Sequence, residues 1–141
     1  MTRVNVINPE LLCDAHLLAE IREITRIPNT IVSGRAKLDE AYSDEYVLGT
    51  GHVKMFYNKL GWLRERHLQL IYEAKKRGFK AEDRWPKSVP ERLFRGWIPD
   101  ENAVSVNIQR VLDRMPKNAR YYGKVLSFDQ YKSMLNGAKE C

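Results

Sequence analysis

Cysteine and histidine are scarce in this 141-residue chain, which has two of the first and three of the second. Cys13 and Cys141 lie at opposite ends, an arrangement that suits free thiols in an intracellular protein better than a disulfide framework. The histidines and cysteines form no CxxC or HExxH spacing, so no metal centre is expected. Gly-x-Ser-x-Gly, the P-loop and the dinucleotide fingerprint are missing too, which removes the usual hydrolase and cofactor-dependent classes and leaves no cofactor to expect. No apolar run approaches the roughly 20 residues of a membrane span, and the first residues are neither an apolar signal core nor an Arg-rich transit peptide. The sequence therefore predicts a cytoplasmic protein without membrane attachment. Acidic residues thin out along the chain. Residues 1–50 carry 5 Lys+Arg against 8 Asp+Glu, whereas residues 51–141 carry 19 against 10, so the net +6 arises from the later part.

What is present suits one domain over residues 1–141: 43% of the residues are hydrophobic, and there are no repeats or low-complexity segments. A basic surface fits a phosphate backbone, where each neutralised phosphate releases a counterion, and it equally fits a merely solvated face. Charge alone leaves both readings open.

Thr2 to Ile7 is too short and irregular for a strand and reads as an extended arm on the body. Asn8, Pro9 and Glu10 are a helix start, with Asn8 as N-cap, Pro9 at the first position and Glu10 at the positive end of the dipole. This predicts a helix from Pro9 to near Pro28, which biases Ile27 away from the α region. At about 100° per residue, His16, Glu20 and Glu23 share one stripe and Arg22 and Arg26 a second beside it, with Glu23 and Arg26 in reach at i and i+3. Such charges are often a solvated face with a weak ion pair. Here they interrupt an otherwise apolar helix, which points to a lined cleft.

Residues 29–48 are weakly patterned and acidic, with Asp39, Glu40, Asp44 and Glu45. After Gly49-Thr50-Gly51-His52, the apolar positions Val53, Phe56, Leu60, Leu63, His67, Leu70 and Ala74 predict a long central helix capped by Gly78. His67 reads as a core histidine and His52 as a cap or packing residue. Lys54, Lys59, Arg64 and Arg66 fall on other faces, to track phosphates or meet solvent. Residues 79–100 form an irregular connection pinned by Trp85, Phe94 and Trp97, and a further helix is predicted over Glu101–Met115. Tyr121, Tyr122 and Lys124 interleave aromatics with a cation, which suits base stacking with phosphate contact and also plain packing. A short helix after Ser127 would place Phe128, Tyr131 and Leu135 on one side, within a C-terminal extension, residues 125–141.

The remaining chemistry is an amine nucleophile beside a helix-borne carboxylate. An α-amine has a pKa of about 7.7–8.0, so a useful fraction is unprotonated near neutrality. Thr2, once N-terminal, would supply one. Met1-Thr2-Arg3, the stretch His16 to Glu23 with Arg26, Gly51-His52-Val53 with Phe56-Tyr57 and Lys59-Leu60, Lys76-Arg77-Gly78-Phe79, and Tyr121-Tyr122-Gly123-Lys124 occur in this order. Together they resemble the phage T4 endonuclease V family of pyrimidine dimer DNA glycosylases.

That resemblance implies an all-α domain of three main helices, with the N-terminal arm between the first two and long irregular connections. It implies a monomeric glycosylase and AP lyase acting on double-stranded DNA that contains pyrimidine dimers or abasic sites, in a bacterial or phage-infected cytoplasm. Thr2 would be the nucleophile and Glu23 the carboxylate that stabilises the cationic intermediate. Arg3, His16, Arg22, Arg26, Tyr121, Tyr122 and Lys124 would contact DNA. Ile21 and Thr25 depart from a tyrosine and a proline common in the family, which leaves two other readings in play: the same scaffold with a different lesion specificity, and a non-catalytic DNA-binding module.

Overall fold

Asn8 and Pro9 do open a helical turn, but it is one 3₁₀ turn, Pro9–Leu11, in which the Asn8 side chain accepts from the Glu10 N–H at 3.0 Å. The structure, a computed structural model, describes residues 2–38 and 42–139. Asp39 and Glu40 of the acidic connection, and Cys141, lie outside the described residues. The α-helix itself, α1, runs Asp14–Ile24, so the uninterrupted helix predicted from Pro9 is corrected. The reason is tertiary: Leu12 and Cys13 are buried in extended conformation, and the Cys13 N–H donates to the buried Tyr131 hydroxyl at 3.1 Å. After Thr25 a second helix, α2, runs Arg26–Val32 and contains Pro28, where the sequence predicts a stop. Pro28 stands in the first turn, where backbone N–H groups have no intrahelical partner, so its missing donor costs nothing.

The central helix, α3, is Leu60–Lys76, shorter than the stripe from Val53 predicts, because Lys54–Phe56 forms a separate 3₁₀ turn. Lys59 holds the break. Its buried ammonium donates to the Met55 carbonyl at 2.7 Å and the Ser43 carbonyl at 2.9 Å and pairs with Asp44 at 3.2 Å. Lys59 and Arg66, only 1% and 3% exposed, are therefore neither solvated nor open to phosphates. At the other end Gly78 takes a positive φ of 91°, and the Phe79 and Gly78 N–H groups return to the Ala74 and Lys75 carbonyls, closing the helix as predicted.

The helix α4, Glu101–Asp113, begins where the Asp100 side chain accepts from the Ala103 N–H at 2.8 Å. An antiparallel hairpin follows, β1 (Arg120–Tyr121) and β2 (Lys124–Val125), with Arg120 opposite Val125 and Tyr121 opposite Lys124. Tyr122 and Gly123 form its two-residue loop, both at positive φ as such a tight turn demands. The last helix, α5 (Phe128–Lys139), opens with reciprocal Ser127 and Gln130 side-chain caps. Its Tyr131 and Leu135 are fully buried, while Phe128, predicted on the same side, is half exposed.

Among the described residues the fold is all-α apart from this hairpin. α1 packs on α3 and α4 on α5, while the arm before Asn8 buries Val4 and Ile7 in the shared core. Trp97 is pinned as predicted, stacking edge-on against Trp62 and Phe56 and donating from Nε1 to the Asp44 carbonyl. Trp85 lies against His67 and Arg64, but Phe94 remains about half exposed. Cys13 is a buried free thiol. Among the described residues no helix is long and apolar enough to cross a membrane.

Candidate active site

Residues 2–7 belong to no helix or ladder, so each buried backbone group of the arm must find a side chain. Glu23 on α1 accepts the Arg3 N–H at 3.1 Å, and His52 Nε2 accepts the Val4 N–H at 2.9 Å. Asn107 on α4 accepts the Val6 and Ile7 N–H groups at 2.7 and 3.1 Å. The Tyr46 hydroxyl donates to the Val4 carbonyl and Arg66 to that of Ile7. Asn5 completes the set, donating to Glu20 and accepting from the Asn107 amide, each at 2.7 Å. Elements far apart in sequence thus hold one short peptide in a single register.

His52 can serve only as one neutral tautomer: Nδ1–H donates to the Val47 carbonyl at 2.7 Å, leaving Nε2 to accept from Val4. Burial lowers its pKa, which favours that neutral form. It is a packing histidine, as the sequence suggests, with the added task of holding the arm. His67 is a core histidine on α3 that accepts the Arg84 N–H at 3.3 Å.

Of the α1 stripe, Glu20 is spent. Arg66 binds it in a fork at 2.8 and 3.0 Å, both side chains are almost wholly buried, and Asn5 takes a further bond. Glu23 is left as the carboxylate facing the arm. His16, Glu20 and Glu23 come together, as their spacing predicts, around a cavity of about 30 Å³ whose other walls include Arg3, Asn5 and Arg110. His16 donates from Nε2 to the Arg114 carbonyl at 3.0 Å, while its buried Nδ1 has no partner among the described residues. Burial, ahead of other causes, lowers its pKa. A second pocket of about 140 Å³ is lined by Thr2, Arg3, His52 and again Arg110. Thr2 and Glu23 thus flank the Arg3 amide.

The other predicted contacts are not gathered into this cavity. Arg22 lines a separate groove of about 690 Å³ with Leu18, Ile21, Thr25 and Asn29. Arg26 opens α2 and is exposed. The i and i+3 pairing of Glu23 with Arg26 does not form, because the helix breaks at Thr25 between them. Tyr121, Tyr122 and Lys124 lie on the hairpin, which docks at the opposite end of α1, about 13 Å of helix from Glu23. There Asp14 accepts the Tyr122 and Gly123 N–H groups, the Tyr122 hydroxyl donates to Glu73 at 2.6 Å, and Arg77 sits over both tyrosine rings.

Arg110 and Asn107 escape the sequence reading. Asn107 had a signal, since an amide among Val104, Ile108 and Val111 must find a partner once α4 is buried. Arg110 reads as an ordinary surface cation of a helix end. Among the described residues no group of three or more His, Cys, Asp or Glu could hold a metal ion. Compared with known proteins, residues 1–87 match a family model described as pyrimidine dimer DNA glycosylase. The matched segment contains the arm, α1, α3 and every predicted site residue before the hairpin.

Proposed function

The chain belongs to the pyrimidine dimer DNA glycosylase family, and from that premise we propose that it repairs ultraviolet-induced cyclobutane dimers as a combined glycosylase and AP lyase, acting as a monomer. In this reading Met1 is removed, and the α-amine of Thr2 attacks C1′ of the damaged nucleotide. The base leaves, the resulting protonated imine acidifies the 2′ hydrogen, and β-elimination breaks the strand. Glu23 stabilises the cationic intermediate and carries the proton.

The observation that carries the reading is the 3.1 Å bond from the Arg3 N–H to Glu23 Oε1, which supports a carboxylate beside the amine of the preceding residue. Arg3 and His16 would meet the sugar and phosphates near the nucleophile. Arg22 and Arg26, exposed and without a carboxylate partner among the described residues, would take phosphates outside it. Tyr122 in the hairpin loop and Lys124 on β2, both exposed, with Tyr121 half-buried beside them, would touch the duplex farther along.

The test is borohydride trapping on ultraviolet-irradiated and abasic duplexes. A covalent complex is expected on both, abolished by an N-terminal extension and reduced by about 100-fold or more in Glu23→Gln. No trapped complex on either substrate refutes the enzyme reading. A second reading, the same chemistry on another lesion, is favoured by Ile21 and Thr25 in the groove wall beside Arg22. Cleavage of abasic but not irradiated DNA would select it.

A further inference from the structure

A groove of about 770 Å³ runs beside α3 and shares no lining residue with the spaces around Thr2, Glu23 and Arg22. Trp62, Glu65, Gln69 and Tyr72, at spacings of three and four, form its α3 wall over about 15 Å of helix. Pro9 and Glu10 of the 3₁₀ turn and Pro99 before α4 complete it. The α3 wall is apolar where solvent reaches it, since Tyr72 is 73% and Leu68 45% exposed. Large apolar side chains held at the surface within a polar rim mark a protein contact.

The charge of the groove is opposite in sign to that of the chain. Glu10 and Glu65 are exposed and have no ion pair among the described residues. The one cation in the lining, Arg66, is spent on Glu20 and the Ile7 carbonyl. Glu73 is already neutralised by Arg77 and accepts from the Tyr122 hydroxyl. On a chain of net charge +6, this groove therefore keeps free negative charge and offers a phosphate no cation. It suits a cationic occupant and repels a nucleic-acid backbone. The backbone groups of α3 are bonded to one another, so an extended peptide would find no ladder partner on this wall. A helix satisfies its own backbone and can pack here through side chains alone.

We infer that this groove is a docking site for a short amphipathic helix of another protein, its apolar side packed against Trp62, Leu68 and Tyr72 and its lysines or arginines paired with Glu10 and Glu65. The inference does not depend on the chemistry at Thr2.

The probe is an end-blocked helical peptide with leucines at i, i+3, i+4 and i+7 and lysines elsewhere, beside a counterpart with glutamate in place of each lysine. Binding to the whole chain is followed by NMR. The lysine peptide is expected to shift the Leu68, Gln69 and Tyr72 amides and the Trp62 indole, and the glutamate peptide to shift none of them. Tyr72→Ala and Glu65→Lys should each weaken the lysine peptide about 10-fold or more, one removing an aromatic anchor and the other reversing a charge. An unchanged urea midpoint shows that folding is not the cause. Should either variant lower it, Glu65→Gln carries the same comparison with a smaller loss. No binding of the lysine peptide, equal affinity in every variant, or shifts confined to other faces overturns the inference. So does an abasic duplex that shifts the same amides, or self-association of the chain that Tyr72→Ala abolishes, since these give the face to DNA or to a second copy.

Discussion

Replacing Asn107 by alanine isolates what holds the arm, because one side chain satisfies three groups. Its Oδ1 accepts the Val6 and Ile7 N–H groups and its Nδ2 donates to Asn5 Oδ1, at 2.7 to 3.1 Å. Asn107 is fully buried and Asn5 nearly so, so the groups left behind cannot all turn to water. At the low end of about 1–3 kcal/mol for each unsatisfied buried group, Asn107→Ala should cost about 3 kcal/mol. Urea denaturation measures this directly, with the slope m as a check that the unfolding transition keeps its size. Imine trapping on abasic duplex should fall as well, since the arm that carries Thr2 loses its register. Glu23→Gln supplies the comparison: it keeps an oxygen for the Arg3 N–H and should change stability by less than about 1 kcal/mol while losing activity. If Asn107→Ala unfolds within about 1 kcal/mol of the original chain and traps equally well, the arm is not held by this network.

Three further outcomes follow from burial and pairing. Arg66→Ala leaves Glu20 charged and buried, and should destabilise by about 3–5 kcal/mol in the same urea assay; a loss below 1 kcal/mol would mean that water replaces the guanidinium. His16, His52 and His67 all have pKa values lowered first by burial, so below the ordinary histidine range the unfolded chain binds more protons than the folded one. Their contribution is complete above about pH 6.5 and lost as pH falls below it, by at most about 1.4 kcal/mol per group per pH unit, so a urea midpoint equal at pH 7.5 and 5.5 would contradict it. Gly61→Ala would set a Cβ 2.9 Å from the Arg95 carbonyl oxygen, which itself accepts the Trp62 N–H, and should lower the melting temperature by several degrees; an unchanged melting curve would show that the loop yields.

The sequence by itself determined the helical class, the Gly78 helix end, the core placement of His67 and the meeting of His16, Glu20 and Glu23 on one face. Caps, periodicity and helix spacing act over a few residues, so their consequences are readable without the rest of the chain. Residues 1–87 also carry enough of a pattern to place the family. The tertiary structure decided what local rules cannot reach. It broke the first helix at Cys13 through Tyr131, 118 residues away, and ended α1 before Arg26 could meet Glu23. It buried Lys59 and Arg66, charged residues expected on a polar face, because their partners Ser43, Glu20 and Ile7 come from other elements. Tertiary packing likewise docked Tyr121 and Tyr122 on Arg77 and brought Asn107 and Arg110 to the arm. The Asn107 contacts span up to 102 residues, and only packing α1, α3 and α4 around Val4 and Ile7 makes such residues neighbours.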